Sequence, residues 1–239
     1  MSALFEEIDY RPTPLGAISL RRRRLLSLDR DVLEVMLGDE HLMSSLFTEG
    51  EIALTHIGLA ATEAPVLDVV VGGLGLGYTA AAALDDPRVR SVVVIDAIEA
   101  VIDWHRQGLV PLGARLSGDA RCSLVHGDFF ALMTADEPAP RQVHAVLLDI
   151  DHSPRALLNS QNGAFYSVAG LTDVAARLVP GGVFAMWSDE APDPEFEATM
   201  ALVFEVCAAK LVEFPNPLTG GMSSCTIYTG RKRGGPSAT

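Results

Sequence analysis

The sequence predicts an α/β protein in which a mostly parallel, seven-stranded sheet covered by helices follows a small all-β segment. Three observations predict it. From Val66 onward, strand-like apolar runs alternate with helical segments. Those runs are nearly continuous in apolar residues, as strands buried on both faces are. The last two strands are joined by "PLTGGM", too short for a helical crossover, so they are expected to pair antiparallel.

The 239 residues suit one principal domain with an appendage. Thirty-one acidic against 18 basic residues give a net charge of −13. That field repels nucleic acid and anionic membranes and attracts cations, so neither a nucleic-acid nor a membrane partner is expected. No stretch reaches the roughly 18 uncharged apolar residues of a membrane span. The acidic start, "MSALFEEIDYRPT", lacks the apolar core of a signal peptide. Cys122, Cys207 and Cys225 are odd in number and have no CxxC spacing. The expectation is neither a disulfide framework nor a metal, and a reducing cytoplasm fits.

Residues 1–45 read as a small N-terminal β-domain. "TPLGAISL" is a turn followed by a strand, and "DVLEVML" alternates with period two. "RRRR" at Arg21–Arg24 is expected on a solvated sheet edge, where charge discourages pairing. Residues 46–62 have helical spacing at Leu46, Ile52, Leu54 and Ile57, with Thr48 as N-cap. Then "VLDVVV" is a strand, "GYTAAAAL" a helix, "SVVVID" a strand, "AIEAVIDWHRQGL" a helix, "RCSLVHGD" a strand and "FFALMTA" a short helix. "HAVLLDID" is the fourth strand, "AFYSVAGLTDVAARL" a helix and "GGVFAMW" the fifth strand. A helix starts near Pro194, and "LVEFPN" and "SSCTIYTGRK" are the final pair. Residues 46–230 form the main domain, and 231–239 are expected to be a flexible tail.

The cluster "GGLGLG" ends the first strand of that domain. In such sheets ligands sit beyond the carboxyl ends of the strands. Glycines there either let the backbone approach a ligand or let helix pack on strand; Gly72, Gly73, Gly75 and Gly77 are the candidates. The spacing is not the GxGxxG of the dinucleotide fold. The second strand ends in Asp96, placed to accept from ribose hydroxyls or to cap a helix. The third ends in Gly127-Asp128, where the acid either accepts from an exocyclic amine such as that of adenine or caps the next helix. Together these features describe an adenosine site without a pyrophosphate site.

This constellation resembles the Rossmann-like class I S-adenosylmethionine-dependent methyltransferase fold. Within it, "VVVGGLGLG", "VVVIDAIEAVI", "HGDFFALM", "VLLDIDHSP", "AFYS" and "LVPGGVFAM" are similar to the spermidine synthase family of aminopropyltransferases. The likeness covers most of residues 46–230, and the family also carries a small β-domain in front. It implies a transferase of polyamine biosynthesis that moves an aminopropyl group from decarboxylated S-adenosylmethionine to a small-molecule amine, without a metal. By the resemblance Asp149, at the end of the fourth strand, is the base or amine-binding group. Because the proline of "DIDHSP" falls one residue later than in the family loop, Asp151 is an alternative.

The sequence departs from the family in three places. His152 stands where the second loop acid belongs. Leu74, Gly75 and Leu76 replace a glycine-cluster acid that lies near the sulfonium nucleoside, which leaves intact S-adenosylmethionine and methyl transfer open. The fifth strand ends in "WSDEAPD" where the family often has a Gln. Trp187 either stacks on a substrate or closes the core. Asp189 and Glu190 either meet a cationic substrate or cap the helix near Pro194, and capping is the preferred reading. A non-catalytic adenosyl-binding homologue is the third possibility, and the β-appendage suits a homodimer.

Overall fold

The computed structural model describes residues 4–134 and 142–234. The first four strands, β1 (Phe5–Thr13), β2 (Gly16–Leu25), β3 (Arg30–Leu37) and β4 (Glu40–Ser44), form an antiparallel meander in chain order. The arginine run lies on β2, between β1 and β3, and not on an edge. The expectation fails because each guanidinium meets an acid: Glu7 for Arg21, Glu6 for Arg22, Glu34 for Arg23, and Asp29 and Asp31 for Arg24. Opposite charges facing each other across strands let a basic strand sit inside a sheet.

Helix α1 (Glu49–Ala60) leads into the main sheet. Thr48 occupies its N-cap but makes no side-chain cap; instead Glu49 accepts from the Thr48 N–H at 2.9 Å. There follow β5 (Leu67–Gly72), α2 (Tyr78–Asp85), β6 (Val89–Asp96), α3 (Glu99–Arg106), α4 (Gly113–Gly118), β7 (Cys122–His126) and α5 (Phe129–Thr134). Next come β8 (Val143–Leu148), a 3-10 helix (Ser160–Tyr166), α6 (Val168–Arg177), β9 (Leu178–Ser188), α7 (Pro194–Ala201), β10 (Val206–Asn216) and β11 (Gly221–Arg231). Helix α4 has no counterpart in the sequence reading. The end of the predicted helix "FFALMTA", at Ala135, lies outside the described residues.

The sheet order is β10-β11-β9-β8-β5-β6-β7. Strands β9, β8, β5, β6 and β7 pair parallel, while β11 pairs antiparallel to both its neighbours. This is the expected seven-stranded sheet with an antiparallel last strand. Strand β10 begins at Val206, five residues before the predicted "LVEFPN", because its ladder with β11 runs unbroken from Val206↔Arg231 to Asn216↔Gly221. Arg231, assigned to the tail, therefore ends a strand, and the Lys232 N–H donates to the Gly182 carbonyl. The rest of the expected tail from residue 235 lies outside the described residues. No helix among the described residues is long and apolar enough to cross a membrane.

Two apolar clusters cover the two faces of the sheet, one gathered around α1–α4 and the other around α5–α7. Ile18, Leu20, Val35 and Leu37 of the meander belong to the first of these. The meander is also tied down by polar contacts. Buried Trp104 on α3 donates its indole N–H to Asp9 at 2.7 Å, and Arg11 donates to Asp103 at 2.7 Å.

Trp104→Phe leaves Asp9 without the indole donor and, being the smaller ring, leaves a small void at this buried site. We expect it to lower stability by about 1–3 kcal/mol, read as a reduced urea midpoint with an unchanged slope.

Candidate functional site

The strand order reverses between β5 and β8, and the chain leaves both strands at the same rim. The Asp149 N–H donates to the Gly72 carbonyl at 2.8 Å. A Cβ on Gly73, whose φ is +91°, would collide with the Asp149 carbonyl oxygen. Glycine is needed there both for the backbone angle and for the approach of the two strands. Over this rim lies a cavity of about 440 Å³, roofed by the N-terminal meander. Crevices at such reversal points are where ligands sit in open α/β sheets.

Of the residues singled out from the sequence, Gly73, Gly75, Asp96, Asp128, Asp149, His152, Trp187 and Asp189 line this cavity. The others do not. A Cβ on Gly72 would meet the Phe129 ring at 2.6 Å, and one on Gly77 would meet Leu116 at 2.5 Å and His105 at 2.8 Å. These two glycines serve packing. Gly127 donates its N–H to the Asp96 carbonyl, with Leu132 3.3 Å from its Cβ position. Asp151 is 2% exposed and faces its own loop. It accepts from the Leu158 N–H at 2.7 Å, the Asn162 amide at 3.0 and 3.1 Å and the Tyr166 hydroxyl at 2.7 Å. Asp151 therefore shapes the segment after β8 and offers nothing to the cavity.

Asp96 accepts from the N–H groups of Leu74 at 2.9 Å and Ile98 at 2.8 Å, and from that of Gly75. Burial pushes its carboxyl up, although the three backbone donors pull it down. Ile98, not Asp96, occupies the N-cap of α3. Asp128 accepts from the Ala131 N–H at 3.1 Å, so the capping reading holds for one of its oxygens. Ile98, Val101, Phe129 and Phe130 wall the cavity beside these two acids.

On the other side, Asp149 accepts from the Thr79 hydroxyl at 2.6 Å. Burial pushes its carboxyl up to about 6. His152 is turned to Glu40 at 3.0 Å, and its carbonyl accepts the Asp189 N–H at 2.8 Å. Asp189 is exposed at the mouth and does not cap α7. Asp193 does, accepting from the Glu195 N–H at 2.9 Å. Trp187 is half-buried, so it is a cavity wall and not a closed core residue.

The sequence reading missed two residues. Glu51, in the first turn of α1, lines the cavity next to Asp149. Burial, with the Asp149 charge behind it, raises its carboxyl to about 8. Its trace in the sequence is weak: a glutamate following Gly50, whose Cβ position lies 2.6 Å from the Trp187 indole nitrogen. The second is His105 on α3, 1% exposed, with Nε2 2.9 Å from the Gly75 carbonyl. A carbonyl only accepts, so Nε2 carries the proton; Nδ1 is buried without a partner among the described residues. Burial holds the imidazole below its ordinary range. His105 thus fixes the loop whose N–H groups hold Asp96.

A scan against protein-family models finds no match. Solved structures do match over nearly the whole chain. A spermidine synthase in complex with the transition-state analogue AdoDATO superposes with a TM-score of 0.73 at 16% identity, covering 97% of this chain and 75% of that one. The fold is that of the spermidine synthases. A probable spermidine synthase from Corynebacterium glutamicum gives 0.64 at 19% identity, over 93% and 79% of the two chains. Human methyltransferase-like protein 13 with SAH gives 0.54 at 16% identity, over 80% and 84%. The chain thus also shares the broader methyltransferase fold.

Three substitutions at two positions test this geometry. Glu51 is raised in the folded state from about 4.5 towards 8, so the stability it lends is full below pH 4.5 and is lost as pH rises to about 8. Glu51→Gln is therefore expected to gain thermal stability relative to the wild type on going from pH 5 to pH 9. His105→Gln keeps an N–H donor near the Nε2 position and should bind methylthioadenosine within about threefold of the wild type. His105→Ala should bind it at least about tenfold more weakly, the roughly 1.4 kcal/mol of one hydrogen bond.

Proposed function

We propose that the protein transfers an aminopropyl group from decarboxylated S-adenosylmethionine to an amine at this cavity. The observation that carries the reading is Asp149, a buried carboxylate at the strand-reversal rim, in a cavity that no lysine or arginine lines among the described residues. An intact S-adenosylmethionine would bring a carboxylate into a cavity already lined by Glu51, Asp96, Asp128, Asp149 and Asp189. A decarboxylated donor brings only positive charge, which this field favours.

The residues fit the nucleoside. The Asp96 carboxylate retains acceptor capacity for the ribose hydroxyls. The apolar wall of Ile98, Val101, Phe129 and Phe130 suits the flat face of a base. The free oxygen of Asp128 accepts from its exocyclic amine. The ligands named with the matched structures, AdoDATO and SAH, agree with an adenosyl occupant.

The donor supplies a sulfonium, whose adjacent methylene is attacked by the amine nitrogen. The new C–N bond forms as the C–S bond breaks, and sulfur leaves with the electron pair as a neutral thioether. An aliphatic ammonium, with a pKa near that of lysine, about 10.4, has no lone pair to attack with. Asp149 holds the ammonium, takes its proton and so frees the nitrogen; its raised pKa, still below neutrality, suits that transfer. The Thr79 hydroxyl fixes the carboxylate. Asp151, with both oxygens engaged, is left out of the mechanism.

Methyl transfer from intact S-adenosylmethionine is the second reading. It is favoured by the missing acid among Leu74, Gly75 and Leu76. Release of methylthioadenosine from the decarboxylated donor supports the first reading, and release of S-adenosylhomocysteine from the intact one supports the second. Asp149→Asn should lower turnover about 100-fold while methylthioadenosine binding stays within about twofold. Near-wild-type turnover removes Asp149 from the mechanism. Wild-type kcat/KM should also fall as pH drops through about 6, where Asp149 of the free protein takes up a proton and ceases to be a base. Asp96→Ala should weaken the nucleoside more than the amine.

A further inference from the structure

The acceptor end of the cavity has a composition of its own. Asp149 and Glu51 both line it, near enough for the charge of Asp149 to act on Glu51, with the carboxyl of each raised by burial. Asp149 has the Thr79 hydroxyl. Among the described residues the only hydrogen-bond donor to Glu51 is its own backbone N–H. A pair of carboxylates away from water and without a counter-cation is costly, and one cationic group between them removes that cost.

The walls around this pair are apolar. Phe47, immediately before α1, packs its ring 6.3 Å from Phe214 of β10. Trp187 abuts Gly50, the neighbour of Glu51. All three aromatics are left half-buried by the protein's own packing and line the cavity, with Leu42 and Met43 of the meander beyond them. Of the other carboxylates lining the cavity among the described residues, Asp96 already accepts from the Leu74 and Ile98 N–H groups, and Asp128 and Asp189 are exposed. His152 stands at the position where the resemblance expects an acid, and its imidazole is turned to Glu40. Asp189 lies at the exposed mouth, where water screens it.

We propose that the acceptor is an amine with a single cationic nitrogen and an apolar body, its ammonium held between Asp149 and Glu51 and its body lying on Phe47, Trp187 and Phe214. The inference rests on the reading that an amine occupies this cavity. It goes beyond that reading by naming the kind of amine and by giving Glu51 a part in selecting it. A linear diamine would have to place its second ammonium against aromatic and aliphatic side chains, which costs desolvation without a partner. An alkyl or aryl body gains there by burying apolar surface.

Binding should also displace protons. Besides its two members, the ionisable groups around the pair are Glu49 from α1, Tyr78 from α2, Asp189 after β9, Cys225 from β11, and His41 and His152 at the mouth; the Arg30 charge reaches Tyr78 but does not line the cavity. Around neutral pH the unliganded pair holds a proton that a bound ammonium renders unfavourable.

The test is calorimetry on the full chain saturated with methylthioadenosine, titrated at pH 7 with n-hexylamine, 2-phenylethylamine and 1,4-diaminobutane in two buffers of different ionisation enthalpy. We expect each monoamine to bind at least about tenfold more tightly than the diamine, with net proton release. Glu51→Gln should weaken all three amines about tenfold and remove most of that release. Phe214→Ala should weaken the monoamines about fivefold and leave the diamine within twofold. Methylthioadenosine affinity close to that of the wild type reports that each variant is folded. A diamine that binds more tightly than both monoamines overturns the inference and leaves the transferase reading standing, as does a Glu51→Gln variant with unchanged affinities and proton release. A wild type that binds methylthioadenosine but none of the amines overturns both.

Discussion

The end of β5 must pass the end of β8 with no side chain between them. Gly72 accepts the Asp149 N–H, and Gly73 turns the chain with a positive φ at the place where a Cβ would strike the Asp149 carbonyl. This contact sets where the strand order reverses and how deep Asp149 sits. It also sets the direction in which the glycine loop leaves the sheet. The loop then offers its Leu74 and Gly75 N–H groups to Asp96, while His105 holds the Gly75 carbonyl from behind. One backbone approach thus places Asp96 and Asp149, the acids proposed to hold a nucleoside and an amine, on the same rim.

The N-terminal meander completes the cavity. Its hydrophobic face merges with the core of the main sheet, and Asp9 and Arg11 anchor it to α3. It brings Val35, Leu37, Leu42 and Met43 over a rim that would otherwise be open to water. A lower local dielectric strengthens the field of every carboxylate beneath it. The charge of the whole chain, −13, acts at longer range in the same direction. In the proposed reaction both effects favour a cationic donor and a cationic acceptor, and both demand a base that takes up a proton near neutrality.

Several residues that look functional in the sequence turn out to hold the frame. Asp151, two residues from Asp149, closes the loop after β8 through Tyr166 and Asn162. Gly72 and Gly77 admit the Phe129 ring and the Leu116 and His105 side chains. Asp193 caps α7, which frees Asp189 for the mouth of the cavity. The four arginines of β2 bind their own sheet together.

The sequence by itself determined the alternation of strands and helices, the antiparallel closing pair and the position of the rim. These rest on local signals: buried parallel strands need unbroken apolar runs, and a sharp turn needs glycine. It also placed Asp96, Asp128 and Asp149 at strand ends, because a carboxylate closing an apolar run is visible in one dimension. Only the tertiary structure decided between Asp149 and Asp151, since both end the same strand and the difference is whether a side chain faces the cavity or its own loop. Only the structure brought in Glu51, which is about a hundred residues from Asp149 in the chain and looks like an ordinary first-turn helix acid. Its environment comes from α1 packing on β9 and β11, and a contact between distant segments leaves no periodic trace in the sequence.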